Sequence, residues 1–234
     1  MNKIIFETSI KKLIQAIKLR RENVNRVVLN RILKSRIRNN NFAIISNNCW
    51  GGAIYKALDL PYNTPFIGLF INSPCYIKLL QNFDFYMREE MTFQESSMYP
   101  IENIHYPIGV LDDVEIHFLH YKSEEEAKNK WDRRKERMLN SNYRLYFKHD
   151  DRDFPLISDI LLFHKLKHLD AISFSKEKYK PNSNIMLSNP EDMILLHTTF
   201  HLFDVAEFIN TGVVKNTLFN KIQNRIFKYP PTWT

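Results

Sequence analysis

A chain of 234 residues with 44% apolar and 25% charged side chains has the composition of a soluble globular protein with one sizeable core. It holds no run of about 18 apolar residues that would predict a spanning helix. The net charge of +7 is concentrated in residues 1–40, where eleven Lys or Arg face two Glu and leave −2 for the rest, so the main domain is not expected to bind nucleic acid.

Two cysteines, Cys49 and Cys75, stand in no metal-binding spacing. They suit a reducing cytoplasm. Charges interrupt the first apolar residues every few positions, which is not the layout of a signal peptide. A cytoplasmic protein is expected.

Residues 3–38 predict one long helix or two shorter ones. Ile10, Leu13, Ile14 and Ile17, then Val24, Val27, Val28 and Ile32, recur at helical spacing, with Lys and Arg on the other faces. Such a helix packs its stripe on the main domain, rests on anionic lipid or, as the remaining alternative, binds RNA. This basic arm, residues 1–41, ends in "RNNN" (Arg38–Asn41), which reads as a hinge.

From Phe42 the pattern alternates. "FAIIS" reads as a buried strand, residues 51–59 as a helix, and "PFIGLFI" (Pro65–Ile71) as a second buried strand. "SPCYIKLLQNF" begins with Ser73 as N-cap and Pro74 at the first helical position. "FDFYMREEMTF" reads as a strand. "IHYPIGVLDD" turns at Asp112-Asp113 into the strand "VEIHFLHY". "SEEEAKNKWDRRKERML" is the strongest helix, with Ser123 and Glu126 forming a capping box and acids placed before bases. "NYRLYF" and "DAISFS" read as strands around the helix "PLISDILLFHKLKH". "NSNIMLSN" reads as a brief strand or loop. "EDMILLHTTF", "DVAEFINT" and "NTLFNKIQNRIF" read as helices, with Gly212 a C-cap. Strands separated by helices predict one α/β domain over residues 42–234, three-layered, with a mainly parallel sheet flanked by helices.

In such sheets ligands bind beyond the carboxyl ends of strands. "SNNCWGG" lies at one. Its turn amides near a helix N-terminus suit a phosphate or oxyanion, Asn47 and Asn48 offer amides, and Gly51 and Gly52 allow close backbone approach. Cys49 is either a thiol nucleophile or a small buried apolar residue. His120 and Tyr121 fall at the carboxyl end of their strand, where a general base belongs. His117 lies deeper and reads as a core histidine. Arg133, Arg134 and Arg137 on one helix, with Trp131, form a clamp for phosphate or carboxylate or else a solvated basic face. His164/His168 and His197/His201 stand at i, i+4 without HExxH, so no metal is expected. No cofactor motif is present. Asp112-Asp113 and Asp150-Asp151 read as turn chemistry.

"ISNNCWGGAIYKALDLPYNTPFIGLFI", "YPIGVLDDVEIHFLHY", "SEEEAKNKWDRRKERM" and "FDVAEFIN" together resemble, in this order, a bacterial family known as domain of unknown function 1919. The resemblance runs from Phe42 to about Asn210. Its matching positions are Asn47, Asn48, Cys49, Trp50 and Gly51, then His117, His120 and Tyr121, then Trp131, Arg133, Arg134 and Arg137. The family's later "FDxL" stretch is met only loosely by "LLFHKLKHLDAISFS". Members are often labelled exopolysaccharide or capsular polysaccharide biosynthesis proteins, and the resemblance implies a single α/β domain.

The expected function is group transfer to or from a sugar or sugar-phosphate carrier, with peripheral membrane contact through residues 1–40. One alternative is a non-catalytic carbohydrate- or carrier-binding module in which Trp50, Trp131 and tyrosines stack on sugar rings. Another is a cysteine-dependent hydrolase using Cys49 with a histidine.

Overall fold

The computed structural model describes residues 26–152, 157–166, 170–177, 179, 183–186, 201–215 and 217–226, with residues 15, 16, 20 and 24 ahead of them. In chain order the elements begin with α1 (residues 26–36), β1 (Phe42–Ser46), α2 (Trp50–Leu58), α3 (Ser73–Gln81) and the short α4 (Phe83–Tyr86). β2 (Thr92–Gln94), β3 (Ile108–Leu111), β4 (Val114–His117) and α5 (Glu124–Leu139) follow. β5 (Arg144–Asp150), α6 (Ile157–Lys165), β6 (Asp170–Ser175), β7 (Asn184–Met186), α7 (Leu202–Thr211) and α8 (Leu218–Ile226) complete them. Most of the expected helix over residues 3–25, all but residues 15, 16, 20 and 24, and the one in "EDMILLHTTF" lie outside the described residues.

β1 is buried along its whole length because both its faces are covered. Phe42 and Ile44 enter one core and Ala43 and Ile45 the other, as the two-residue period of a strand dictates. The first core packs α1, α2 and α7 on the sheet. The second packs α3, α5, α6 and the small sheet. The main sheet runs β1-β5-β6-β7, every pair parallel, with Ile44 opposite Tyr146 and Lys148 opposite Ile172. This is the mainly parallel α/β sheet expected of alternating strands and helices. An antiparallel sheet, β2-β3-β4, adjoins it. Its β3–β4 hairpin turns at Asp112, whose φ is 54°.

Three predicted strands come out differently. "PFIGLFI" is buried at Phe66, Leu69 and Ile71, yet only Phe70 pairs, as a single bridge to His117. The Ile67 amide turns back to the Pro65 carbonyl at 2.8 Å, and Gly68 has a φ of 71°. Hydrophobicity in this run reports burial, not ladder pairing. "FDFYMREEMTF" divides into α4 and β2. "VEIHFLHY" stops pairing at His117, after which the Tyr121 amide closes a turn on the Phe118 carbonyl at 3.1 Å.

α5 starts where its capping signals place it. The Glu126 amide donates to Ser123 Oγ at 3.2 Å, and Glu126 Oε2 accepts from the Lys122 amide at 2.9 Å. α7 ends on Gly212, whose φ is 80°. In α1 Leu29 and Leu33 are buried and Ile32 packs against the same core, whereas Val27 and Val28, and Val24 ahead of the helix, are exposed. Among the described residues no helix is long and apolar enough to cross a membrane.

Candidate functional site

The turn after β1 is held from below by a buried ionic network. Lys148 and Asp150, two residues apart on β5, point to one face and pair with each other. Lys148 Nζ also donates to Asn47 Oδ1 at 3.2 Å and Asn48 Oδ1 at 2.8 Å. Asp150 accepts from Asn47 Nδ2 at 3.3 Å and Asn48 Nδ2 at 2.7 Å. All four side chains are fully buried. The two asparagine amides therefore bond inward. Asp150 belongs to a strand and an ion pair, not to the turn that the sequence reading gave it.

Past this network the chain opens onto a cleft of about 400 Å³. One wall is α2 and the residue before it, with Cys49, Gly52, Ala53 and Lys56. The other is α5, with Lys130 and Arg134. Tyr62, Ile67 and Gly68 close one side, and His120 and Tyr121 stand on the turn beyond β4. Gly68 is required here, because a Cβ would sit 3.3 Å from the His120 Cβ and 3.2 Å from the Tyr121 ring.

Arg134 organises the α5 wall. Its Nη1 donates to the Tyr121 hydroxyl at 2.8 Å, and its guanidinium lies 5.1 Å from the centre of the Tyr62 ring. The Tyr121 hydroxyl in turn donates to the Ile67 carbonyl at 2.6 Å. Burial pushes the Tyr121 pKa up against the opposing pull of Arg134. Lys130 sits over the Tyr121 ring and bonds Glu126 Oε1 at 2.5 Å. His120 is exposed, its backbone amide tied to the Gly68 carbonyl at 3.0 Å. Cys49 is half-buried, its Sγ 3.7 Å from the Leu69 carbonyl oxygen.

The structure thus gathers Cys49, Gly52, His120, Tyr121 and Arg134 into one cleft and places the other candidates elsewhere. Trp50 is buried against Phe174, and Trp131 is buried edge-on to Phe66 and Phe118. Neither indole presents a face to a sugar. Gly51 packs on β1, where a Cβ would meet Ile44 Cγ2 at 3.1 Å. His117 is buried and stacked 4.3 Å from Phe70, with Nε2 2.7 Å from Glu115 Oε1. Burial holds its pKa low against the pull of Glu115. Glu115 also accepts from Gln94, Ser97 and the Met98 amide, so this pair straps the chain after β2. Arg137 donates to the Tyr62 carbonyl at 3.0 Å, and Arg133 is exposed outside the lining.

Lys56 and Lys130 were missed in the sequence, although helical spacing pointed to both. Lys56 lies four residues after Gly52, and Lys130 four before Arg134, each on its partner's face. A larger cavity of about 570 Å³ lies at the other end of the sheet, where β5 and β6 begin. Its Arg144 and Asp170 already bond each other at 2.6 Å, which leaves them less able to capture a charged ligand.

A family model described as "Domain of unknown function (DUF1919)" matches residues 20–215. The chain belongs to the DUF1919 family. A relative from Haemophilus influenzae, described as "Uncharacterized protein", is 37% identical over 154 residues, covering 66% of this chain and 71% of the relative. The positions that carry the DUF1919 resemblance fall into three groups. Cys49, His120, Tyr121 and Arg134 line the cleft, Asn47, Asn48, Trp50, Gly51, His117 and Trp131 are buried in its support, and Arg133 and Arg137 are exposed outside the lining.

One buried and one half-buried histidine in this DUF1919 chain are expected to make stability depend on acid. His149 is fully buried between Tyr76 and Phe163, with Nε2 2.8 Å from Ser73 Oγ. Burial lowers its pKa to about 3 and that of His164 to about 4. Depressed folded-state values mean that the unfolded chain binds these protons first. Their contribution is complete above about pH 6.5 and is lost as pH falls toward the folded values. His149 alone is expected to remove about 1.4 kcal/mol per unit below about pH 6.5. Urea unfolding between about pH 6.5 and pH 5 checks this, and a flat stability profile would contradict it.

Proposed function

We propose that the cleft binds a phosphate-bearing sugar and that the protein transfers a group to or from it, as an enzyme of surface-polysaccharide assembly. Arg134 carries this reading. It is 8% exposed, its partners in the cleft are a tyrosine hydroxyl and a tyrosine ring, and among the described residues no carboxylate pairs with it. A buried cation with neutral neighbours is stabilised by an arriving anion. The planar fork of guanidinium suits phosphate in particular. Lys56 and Lys130 add positive charge, the lining contains no carboxylate among the described residues, and the N-terminus of α2 favours an anion at Cys49–Gly52.

His120 would take the proton from an attacking sugar hydroxyl. Arg134 and the lysines would hold the phosphate as it leaves with the bonding electron pair. The basic arm ahead of β1 would keep the cleft near a lipid-linked substrate. A second reading has Cys49 as the nucleophile, since its half-buried sulfur lines the same cleft.

Calorimetric titration with a sugar phosphate and with the matching free sugar tests the binding step. The phosphorylated sugar should bind and the free sugar should not. Arg134→Ala should weaken binding by about 10–100-fold, the worth of a charge-assisted contact. Equal affinity for both sugars, or an unchanged affinity in Arg134→Ala, would defeat the proposal.

A further inference from the structure

α8 is docked the reverse of an ordinary surface helix. Its asparagines face inward: Asn220 Nδ2 donates to Asp204 Oδ1 at 3.1 Å and Glu207 Oε2 at 2.9 Å. Asn224 Nδ2 donates to Asp204 Oδ2 at 2.8 Å, and Asn224 Oδ1 accepts from the Phe203 amide at 3.1 Å. Its apolar residues face outward. Leu218 is 74% exposed, Phe219 63%, Ile222 49% and Ile226 67%. At about 100° per residue these four share one arc of about 100°, opposite the two asparagines. A surface helix normally buries such an arc.

The charge around the arc identifies what it meets. α8 has Lys221 and Arg225 in its sequence and no Asp or Glu, while Lys215 just ahead of it pairs with Glu207 of α7 at 3.3 Å. Helical spacing sets Lys221, which is exposed, along one flank of the arc. α1 carries a smaller version of the arrangement: Val27 and Val28 are exposed, and Arg31, also exposed, shares their side of the helix. α1 and α8 both join α7: Arg36 lies 5.0 Å from the centre of the Phe203 ring, and the Phe203 amide holds Asn224. An apolar arc with a lysine on its flank, on a helix that has no acidic residue, complements a surface that is anionic at its headgroups and apolar just beneath.

We propose that α8 is an interfacial helix that seats this protein on an anionic lipid bilayer, with Leu218, Phe219, Ile222 and Ile226 entering the headgroup–acyl boundary. The asparagine contacts with α7 keep the helix folded and aimed before the membrane is met. This assignment is independent of the cleft's chemistry and adds a second contact to the one proposed for the N-terminal arm.

Co-sedimentation of the full chain with phosphatidylcholine vesicles, with and without phosphatidylglycerol, tests it. Binding should need the anionic lipid. Phe219→Ser/Ile222→Ser should weaken it about tenfold or more through lost apolar burial, with an unchanged circular dichroism spectrum. Lys221→Glu, which keeps the apolar arc, should weaken it about fivefold or more. If the double variant binds like the wild-type chain, the arm alone carries the membrane contact and the proposal fails. It fails equally if no vesicle binds and sedimentation shows a dimer that Phe219→Ser/Ile222→Ser abolishes, because the arc then meets a second copy.

Discussion

Replacing His120 with alanine is expected to lower turnover of a sugar-phosphate substrate by about 10²–10⁴-fold, the usual worth of a positioned general base, and to leave the unfolding midpoint in place. The two halves of this expectation have separate causes. His120 is exposed on the turn beyond β4, and that turn is held by its backbone bond to Gly68, which alanine keeps. Nothing in either core depends on the imidazole. The side chain lines the same cleft as Arg134 and Lys56, so a hydroxyl brought in beside a bound phosphate comes within its reach. Single-turnover product formation, read beside thermal unfolding, checks both halves. Full turnover in His120→Ala would remove it from the mechanism. Cys49→Ser separates the rival thiol reading: turnover survives this change if the imidazole acts on a sugar hydroxyl and collapses if sulfur is the nucleophile.

Lys148→Met is expected to cost about 3–5 kcal/mol of stability, the cost of stripping one partner from a buried ion pair. The methionine fills the space of the lysine stem but leaves Asp150 charged and fully buried. It also removes the donor to both asparagine carbonyls. Adding Asp150→Asn to the same chain should recover part of the loss, because the neutral amide no longer needs a cation. Urea unfolding of the two single variants and the double variant reads the coupling. Strictly additive losses would show that the pair is not the unit argued here. Because Asn47 and Asn48 lead directly into Cys49 and α2, Lys148→Met should also loosen the α2 wall of the cleft.

Much of the fold was legible because local signals agreed with the tertiary outcome. "FAIIS" is short, apolar and followed by turn residues, and it became the strand on which both cores are built. Ser123 and Glu126 marked the start of α5, and Gly212 the end of α7. "PFIGLFI" misled because a continuous apolar run records burial whether or not a ladder forms. The arm misled in part: of Val24, Val27, Val28 and Ile32, which have helical spacing, only Ile32 packs on the core, beside Leu29 and Leu33, because periodicity does not say which stripe docks.

The site was legible in part. The strand-end rule led to the Cys49–Gly52 turn and to His120. Asp150-Asp151 reads as turn chemistry in the sequence, because Asp150 reveals itself as the inward-facing partner of Lys148 only once β5 is known to run through Asp150. Nor could the sequence tell Arg134 from Arg133. One residue along a helix turns a side chain by about 100°, which separates the cleft from solvent.

The cleft lies on a seam between two separately packed interiors. α2 rides on the first core, through Ile54, Tyr55 and Leu58, and α5 on the second, through Ala127, Trp131 and Met138. Tyr62 spans the seam: its ring packs edge-on to Tyr55 and lies under Arg134, and its carbonyl holds Arg137. The gap between the walls is therefore a difference between two packings. Close-packed interiors pass strain outward instead of absorbing it. A change of one methyl group deep in either core would shift one wall and not the other. The lineage could then retune which substrate fits through residues that never touch it, while the chemical groups of the cleft stay as they are.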